Sequence, residues 1–195
     1  MATAMKKIIA VAVAAAGFGG LLGSAALFAS KPSDVGETAP RDTRPSWTEI
    51  GWPFPIDQWG GGKAFNCKPS DCGAEINVYV RAKIGFCNCA IGVADDEELE
   101  RVGDLQLVAS PPDSAAGPGR PIAAARMQGR SRPYLIIGSF GSPKSALAMA
   151  LNDRCDVVVA TAIVNGRPPI SAENAVIRFL NGDVISRWAD VALGL

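Results

Sequence analysis

The chain of 195 residues contains no histidine. That removes the side chain most often used as a general base near neutral pH, and the commonest metal ligand. The hydrolase signatures GxSxG, SxxK and HExxH are missing as well. "GGGK" at residues 60–63 does not make a phosphate loop, because Ala64 follows where Ser or Thr is needed and no strand signal precedes it. The acidic run Asp95, Asp96, Glu97, Glu98 lacks the alternating ligands and central glycine of a calcium loop. The residues name no catalytic group, and the reading leans away from an enzyme.

Charge is absent from Ile8 to Ser30, and Lys6 and Lys7 precede this stretch. An uncharged run after a basic start is an export or anchoring segment. Its length suits a spanning helix of roughly 20 residues, while the small residues Ser24, Ala25 and Ala26 suit cleavage. Both outcomes keep the two lysines inside and place the remainder outside the cytoplasm. The expected location is the inner membrane, single-pass with a periplasmic domain. Cleavage of residues 1–26 or 1–29 would make the protein periplasmic or secreted.

With Lys6 and Lys7 set aside, 17 basic and 19 acidic residues remain. Residues 31–119 carry 8 basic and 14 acidic side chains, and residues 120–195 carry 9 and 5. The two halves are expected to face each other in one fold. A basic surface for nucleic acid is not expected in this compartment.

Three parts follow from composition: a signal-anchor or signal peptide at 1–30, a polar, proline-rich linker at 31–45, and one domain at 46–195. Hydrophobic residues make up 48% of the chain, enough to build a core. Residues 76–86 alternate strictly, with Ile76, Val78, Val80, Ala82, Ile84 and Phe86 on one face and Asn77, Tyr79, Arg81 and Lys83 on the other. This predicts a half-buried antiparallel strand. A helix over 95–102 is predicted by Asp95 as cap and Glu98 three residues on. "LQLVA" (105–109) reads as a short strand. Residues 121–128 and 134–140 read as two strands turned through "GRSR". Residues 142–155 read as a helix with Pro143 at its first position. The continuous apolar run 157–164 reads as a central strand, and 171–180 and 183–193 as helices. The expected fold is α+β: one small mixed sheet of four or five strands, helices mostly on one face, preceded by an N-terminal hydrophobic helix.

Four of the five cysteines, Cys67, Cys72, Cys87 and Cys89, lie within 23 residues. In an oxidising compartment they are candidates for structural disulfides. Two bridges among five cysteines allow fifteen arrangements. The favoured one joins Cys67 and Cys72 each to Cys87 or Cys89 and leaves Cys155 as a free thiol. Its rival closes Cys67 on Cys72 and ties Cys155 to Cys87 or Cys89. Without histidine, a copper(I) site on Cys67, Cys72, Cys87 and Cys89 is the best metal alternative; otherwise no metal and no cofactor are expected. Trp47, Trp52 and Trp59 lie in an irregular segment and suit core packing or, with Arg130 and Arg132, a binding surface.

These features suggest a non-catalytic envelope protein on the periplasmic side, a binding or structural module. The alternative is a thiol-redox or copper(I)-handling protein. The expected partner is an unknown envelope protein or a cell-wall or membrane component, with the membrane reached through residues 8–30 if these are retained.

Overall fold

The computed structural model describes residues 45–109, 115–137, 143–165 and 170–195. The hydrophobic helix, the cleavage site and most of the linker expected at residues 1–45 lie outside them. Seven strands form one sheet: β1 (Trp47–Ile50), β2 (Lys63–Cys67), β3 (Ile76–Lys83), β4 (Arg120–Ala124), β5 (Met127–Ile137), β6 (Pro143–Asp153) and β7 (Asp156–Asn165). Their order is β1-β2-β3-β7-β6-β5-β4, and every neighbouring pair is antiparallel. Four helices complete the described chain: α1 (Pro69–Cys72), α2 (Asp96–Val102), α3 (Ile170–Leu180) and α4 (Asp183–Leu193). Among the described residues no helix is long and apolar enough to cross a membrane.

This corrects the expected small mixed sheet of four or five strands. The causes are β1 and β2, which lie in the stretch read as irregular, and β6, read as a helix but extended between β5 and β7. Ala146, Leu147, Ala150 and Leu151 do lie at helical spacing. The same segment also alternates large and small, with Leu147, Met149 and Leu151 against Ala146, Ala148 and Ala150. All six are buried. Two neighbouring strands supply hydrogen bonds along the whole segment, and that tertiary pairing overrides the helix propensity of its alanines.

A second correction concerns "GRSR". Residues 129–132 lie inside β5, and the hairpin turns instead at Ala125 and Arg126. Both have positive φ, 49° and 64°. A two-residue turn of this kind usually announces itself with Asn-Gly, and here it carries no such signature. Neighbouring helices hold it. Asn181 accepts the Ala125 amide at 3.1 Å, and Arg126 pairs with Asp190 of α4 at 2.5 Å. Gly129 is needed where it stands, because a Cβ there would meet the Ala150 carbonyl at 1.8 Å.

Most helices lie on one face, α1 with α3 and α4, and α2 lies on the other. Ile76, Val78, Val80, Met149, Leu151 and Ala160 share a core with Val176 and Leu180 of α3 and Ile185 of α4. On the opposite face Leu99 and Val102 of α2 pack with Ala150, Val157 and Val159. Leu105 packs there with Tyr134, Ala148 and Ile163. It belongs to a single 3-10 turn, Leu105–Leu107, where a short strand was expected. The α2 start is as read: the Glu98 amide donates to the Asp95 carboxylate at 2.8 Å. Glu98 itself turns to Arg101 and the Asn88 amide instead of closing the box.

The bridges are Cys67–Cys72 and Cys89–Cys155, with Cys87 a buried free thiol. The favoured connectivity is therefore corrected to a form of its rival, and Cys155 is not the odd thiol. Length is the reason. Cys67 pairs with Ile76 at the start of β3, whereas Cys87 and Cys89 follow its far end. Eight extended residues separate the two pairs by roughly 25 Å. Lys83 pairs with Val157, which brings the turn holding Cys155 to the end of β3.

Sequence separations of 66 and 5 residues make the bridges unequal. In the chain-entropy model the longer loop stabilises by about 4 kcal/mol and the shorter by about 2 kcal/mol. The double variant Cys89→Ser/Cys155→Ser is expected to lose about twice the unfolding free energy lost by Cys67→Ser/Cys72→Ser. Urea denaturation measures both, and equal losses contradict this account.

Candidate functional site

The polar face of β3 is enclosed over its second half, while Asn77 and Tyr79 remain half-buried. The sheet is covered on both sides, so Arg81 and Lys83 are only 1% and 2% exposed. Two buried cations in one strand need anions and acceptors within reach. Asp104, between α2 and the 3-10 turn, is the first. Arg81 donates from Nε and Nη2 to its two carboxylate oxygens at 2.8 and 2.6 Å. Lys83 Nζ lies 2.8 Å from Oδ1 of the same group. The ammonium also donates to the carbonyl of Val102 at 2.6 Å, at the negative end of the α2 dipole. The second anion is Asp57, whose Oδ1 accepts from Arg81 Nη1 at 2.7 Å and remains partly open to water.

Rings cover this cluster. Trp52 lies 6.0 Å from the Arg81 guanidinium, and Trp59 and Phe86 lie 5.9 and 5.3 Å from the Lys83 ammonium. Trp59 and Phe86 pack at 4.5 Å, and Phe54 meets Tyr79 edge-on at 4.8 Å. Gly62 lets Trp52 close down, since a Cβ there would stand 2.3 Å from the Val80 carbonyl and 2.5 Å from the indole. The irregular segment from Gly51 to Gly62 is thus a strap fastened by cations below it. Burial lowers the Lys83 pKa, and Asp104 and Asp57 offset part of that effect. The Arg81 hydrogen bond leads the causes that hold Asp57 below the usual carboxylate range. Both cations are enclosed, and Asp104, Asp57 and the Val102 carbonyl receive them.

The three tryptophans are each half-buried. Trp52 and Trp59 belong to the strap. Trp47 stacks on Phe179 at 4.4 Å and lines a separate groove of about 630 Å³ with Arg178, Asp183 and Arg187. Arg130 and Arg132 stand together on β5, engaged by acids of α2: Arg130 with Asp96, Arg132 with Glu100 at 2.5 Å. These are pairs between the acidic and basic halves, as the charge distribution suggested. Tyr134 joins them through Glu100, and burial with that carboxylate pushes its pKa up to about 12. A smaller cleft of about 360 Å³ lies beside the strap, between Phe54, Tyr79 and Lys144.

Cys67, Cys72, Cys87 and Cys89 do not form one cluster, which removes the four-thiolate copper alternative. Two of them are bridged at one end of β3, and Cys89 is bridged to Cys155 at the other. Among the described residues no group of three or more Cys, Asp or Glu is arranged to hold a metal ion. The sequence reading missed Asp57 and Asp104 and treated Arg81 and Lys83 as a solvated face. A signal was present, because β7 is apolar at both alternations and so announces a sheet buried on both sides. No known protein family matches the chain, and no curated protein is significantly similar to it.

Asp104→Asn leaves two buried cations short of a charge and is expected to cost about 3–5 kcal/mol. Asp57→Asn, at the wet end, is expected to cost about 1 kcal/mol or less. The Asp57 contribution is present above pH 3.8 and is lost as pH falls through its lowered folded pKa. Urea midpoints of wild type and Asp57→Asn therefore converge in acid; a gap unchanged at low pH refutes the assignment. Lys83 works in the opposite range. Its folded pKa lies below 10.5, so the unfolded chain binds more protons between the two values and stability rises with pH there.

Proposed function

We propose that this protein is a non-catalytic module of the cell envelope, working outside the cytoplasm by binding or by bracing a partner. The observation that carries the reading is the pair of disulfides, above all Cys89–Cys155 with its span of 66 residues. Bridges of this kind persist in oxidising compartments and are rare where thiols are kept reduced. The uncharged run from Ile8 to Ser30 behind Lys6 and Lys7 supports the same location.

The contact surface we propose is the groove beside Trp47. It combines stacked rings with Arg178 and Arg187, the combination enriched where proteins recognise partners. Its charge suits an acidic envelope protein or an anionic wall or membrane component. Nucleic acid is not among the proposed partners.

A reporter active only outside the cytoplasm, fused after Leu195, is expected to be active. Protein recovered from that compartment, denatured and alkylated, is expected to take up one label by intact mass. An inactive but stable fusion, or three or more labels, overturns the reading. Arg187→Glu, at an exposed position, is expected to weaken retention on envelope fractions while leaving the melting temperature within a few degrees, and undiminished retention moves the contact surface elsewhere.

A further inference from the structure

Three cysteines meet at one turn. Arg154 and Cys155 form the two-residue connection of β6 to β7, between the paired Asp153 and Asp156. Cys89 is bonded to Cys155. Cys87 reaches the same residue from the other side: its amide donates to the Cys155 carbonyl at 3.1 Å. Its thiol lies 3.2 Å from the Arg154 carbonyl and 3.6 Å from that of Asp156, the two flanks of Cys155. Standard bond lengths and one such hydrogen bond hold two Cα atoms within roughly 7 Å, close to the 4.4–6.8 Å that a disulfide spans. Cys155 therefore has one sulfur partner in use, and Cys87 is fastened beside it by backbone and thiol contacts to residues 154–156.

We infer that Cys87, Cys89 and Cys155 form a thiol–disulfide exchange centre, in which Cys87 displaces Cys89 from Cys155 and releases Cys89 as a surface thiol. The step balances without an oxidant. The Cys87 thiolate attacks Cys155 Sγ, the Cys87–Cys155 bond forms and the Cys155–Cys89 bond breaks. The electron pair leaves on Cys89 Sγ, which takes up a proton through solvent in place of the one Cys87 gave up. One disulfide and one thiol are present before and after.

What changes is where the thiol lies. In the observed form it is Cys87, 6% exposed and packed with Val93, Leu99 and Val102. In the exchanged form it is Cys89, which is exposed. A surface thiolate attacks external disulfides by the same displacement, so exchange turns a closed protein into one that captures a disulfide-bearing partner. This goes beyond the envelope role proposed above and does not depend on the Trp47 groove.

Only the thiolate attacks. Burial raises the Cys87 pKa, with Glu98 of α2 and Asp156 of β7 adding to the rise and Arg101 of α2 opposing it. Exchange is therefore slow near neutrality and quickens about tenfold per pH unit until that pKa is reached.

The test is native-state trapping with N-ethylmaleimide on the oxidised full chain at neutral and alkaline pH, followed by acid quench and disulfide mapping. The expected result is label on Cys89 together with a Cys87–Cys155 peptide, faster at higher pH, with Cys67–Cys72 intact and no label in Cys87→Ser. Label on Cys87 with Cys89–Cys155 intact, pairs that include Cys67 or Cys72, or no label at all overturns the inference. A second arm uses Cys89→Ser made in an oxidising compartment. A Cys87–Cys155 bridge supports the inference, and two free thiols at those positions refute it. If Cys89→Ser does not fold, the wild-type trapping decides alone.

Discussion

The pairing of β3 with β7 is the constraint on which the rest depends. It runs from Ile76 opposite Val164 to Lys83 opposite Val157 and is the seam between two parts of the sheet. On one side lie β1, β2 and β3; on the other lie β7, β6, β5 and β4. Without that register each part would expose a long unpaired edge. With it, one continuous surface exists on which helices and the strap can close.

The same register accounts for the two least expected features of the molecule. It puts Arg81 and Lys83 under α2 and the strap, where they survive only because Asp104, Asp57 and the end of α2 receive them. A buried cluster of this kind is weak as a source of net stability, because desolvating the charges offsets much of their attraction. It also carries the chain past the end of β3 to the β6–β7 turn, where Cys87 and Cys89 both address Cys155. The strap and the cysteine centre are therefore neighbours along a single strand, and both lie on the face of the sheet away from α3 and α4.

The proposed envelope placement and the proposed exchange centre share a chemical requirement. A disulfide that can move needs surroundings in which disulfides persist. It also needs a fold that does not come apart when the bridge is exchanged. The second need is met by the strand pairing around the turn, with nine matched residue positions between β6 and β7, which holds Cys155 in place whichever sulfur it bonds.

A strand within the alternation at 76–86, which ends at Lys83, the cap at Asp95 and the apolar run of β7 could be read directly, because each is a local pattern whose meaning its own residues decide. So could the helical form of α3 and α4 and, given an oxidising compartment, the presence of two bridges among five cysteines. The extended form of β6 could not: its alternating alanines and larger residues satisfy both periods, and only the flanking β5 and β7 choose between them. The turn at Ala125 and Arg126 has no turn residues and is held by Asn181 and Asp190 from helices more than fifty positions away. The bridge partners, the burial of Arg81 and Lys83, and the meeting of Cys87 with Cys155 follow from which strand ends lie together. That is decided by sheet order, a property of long-range pairing energies that no short stretch of the chain contains.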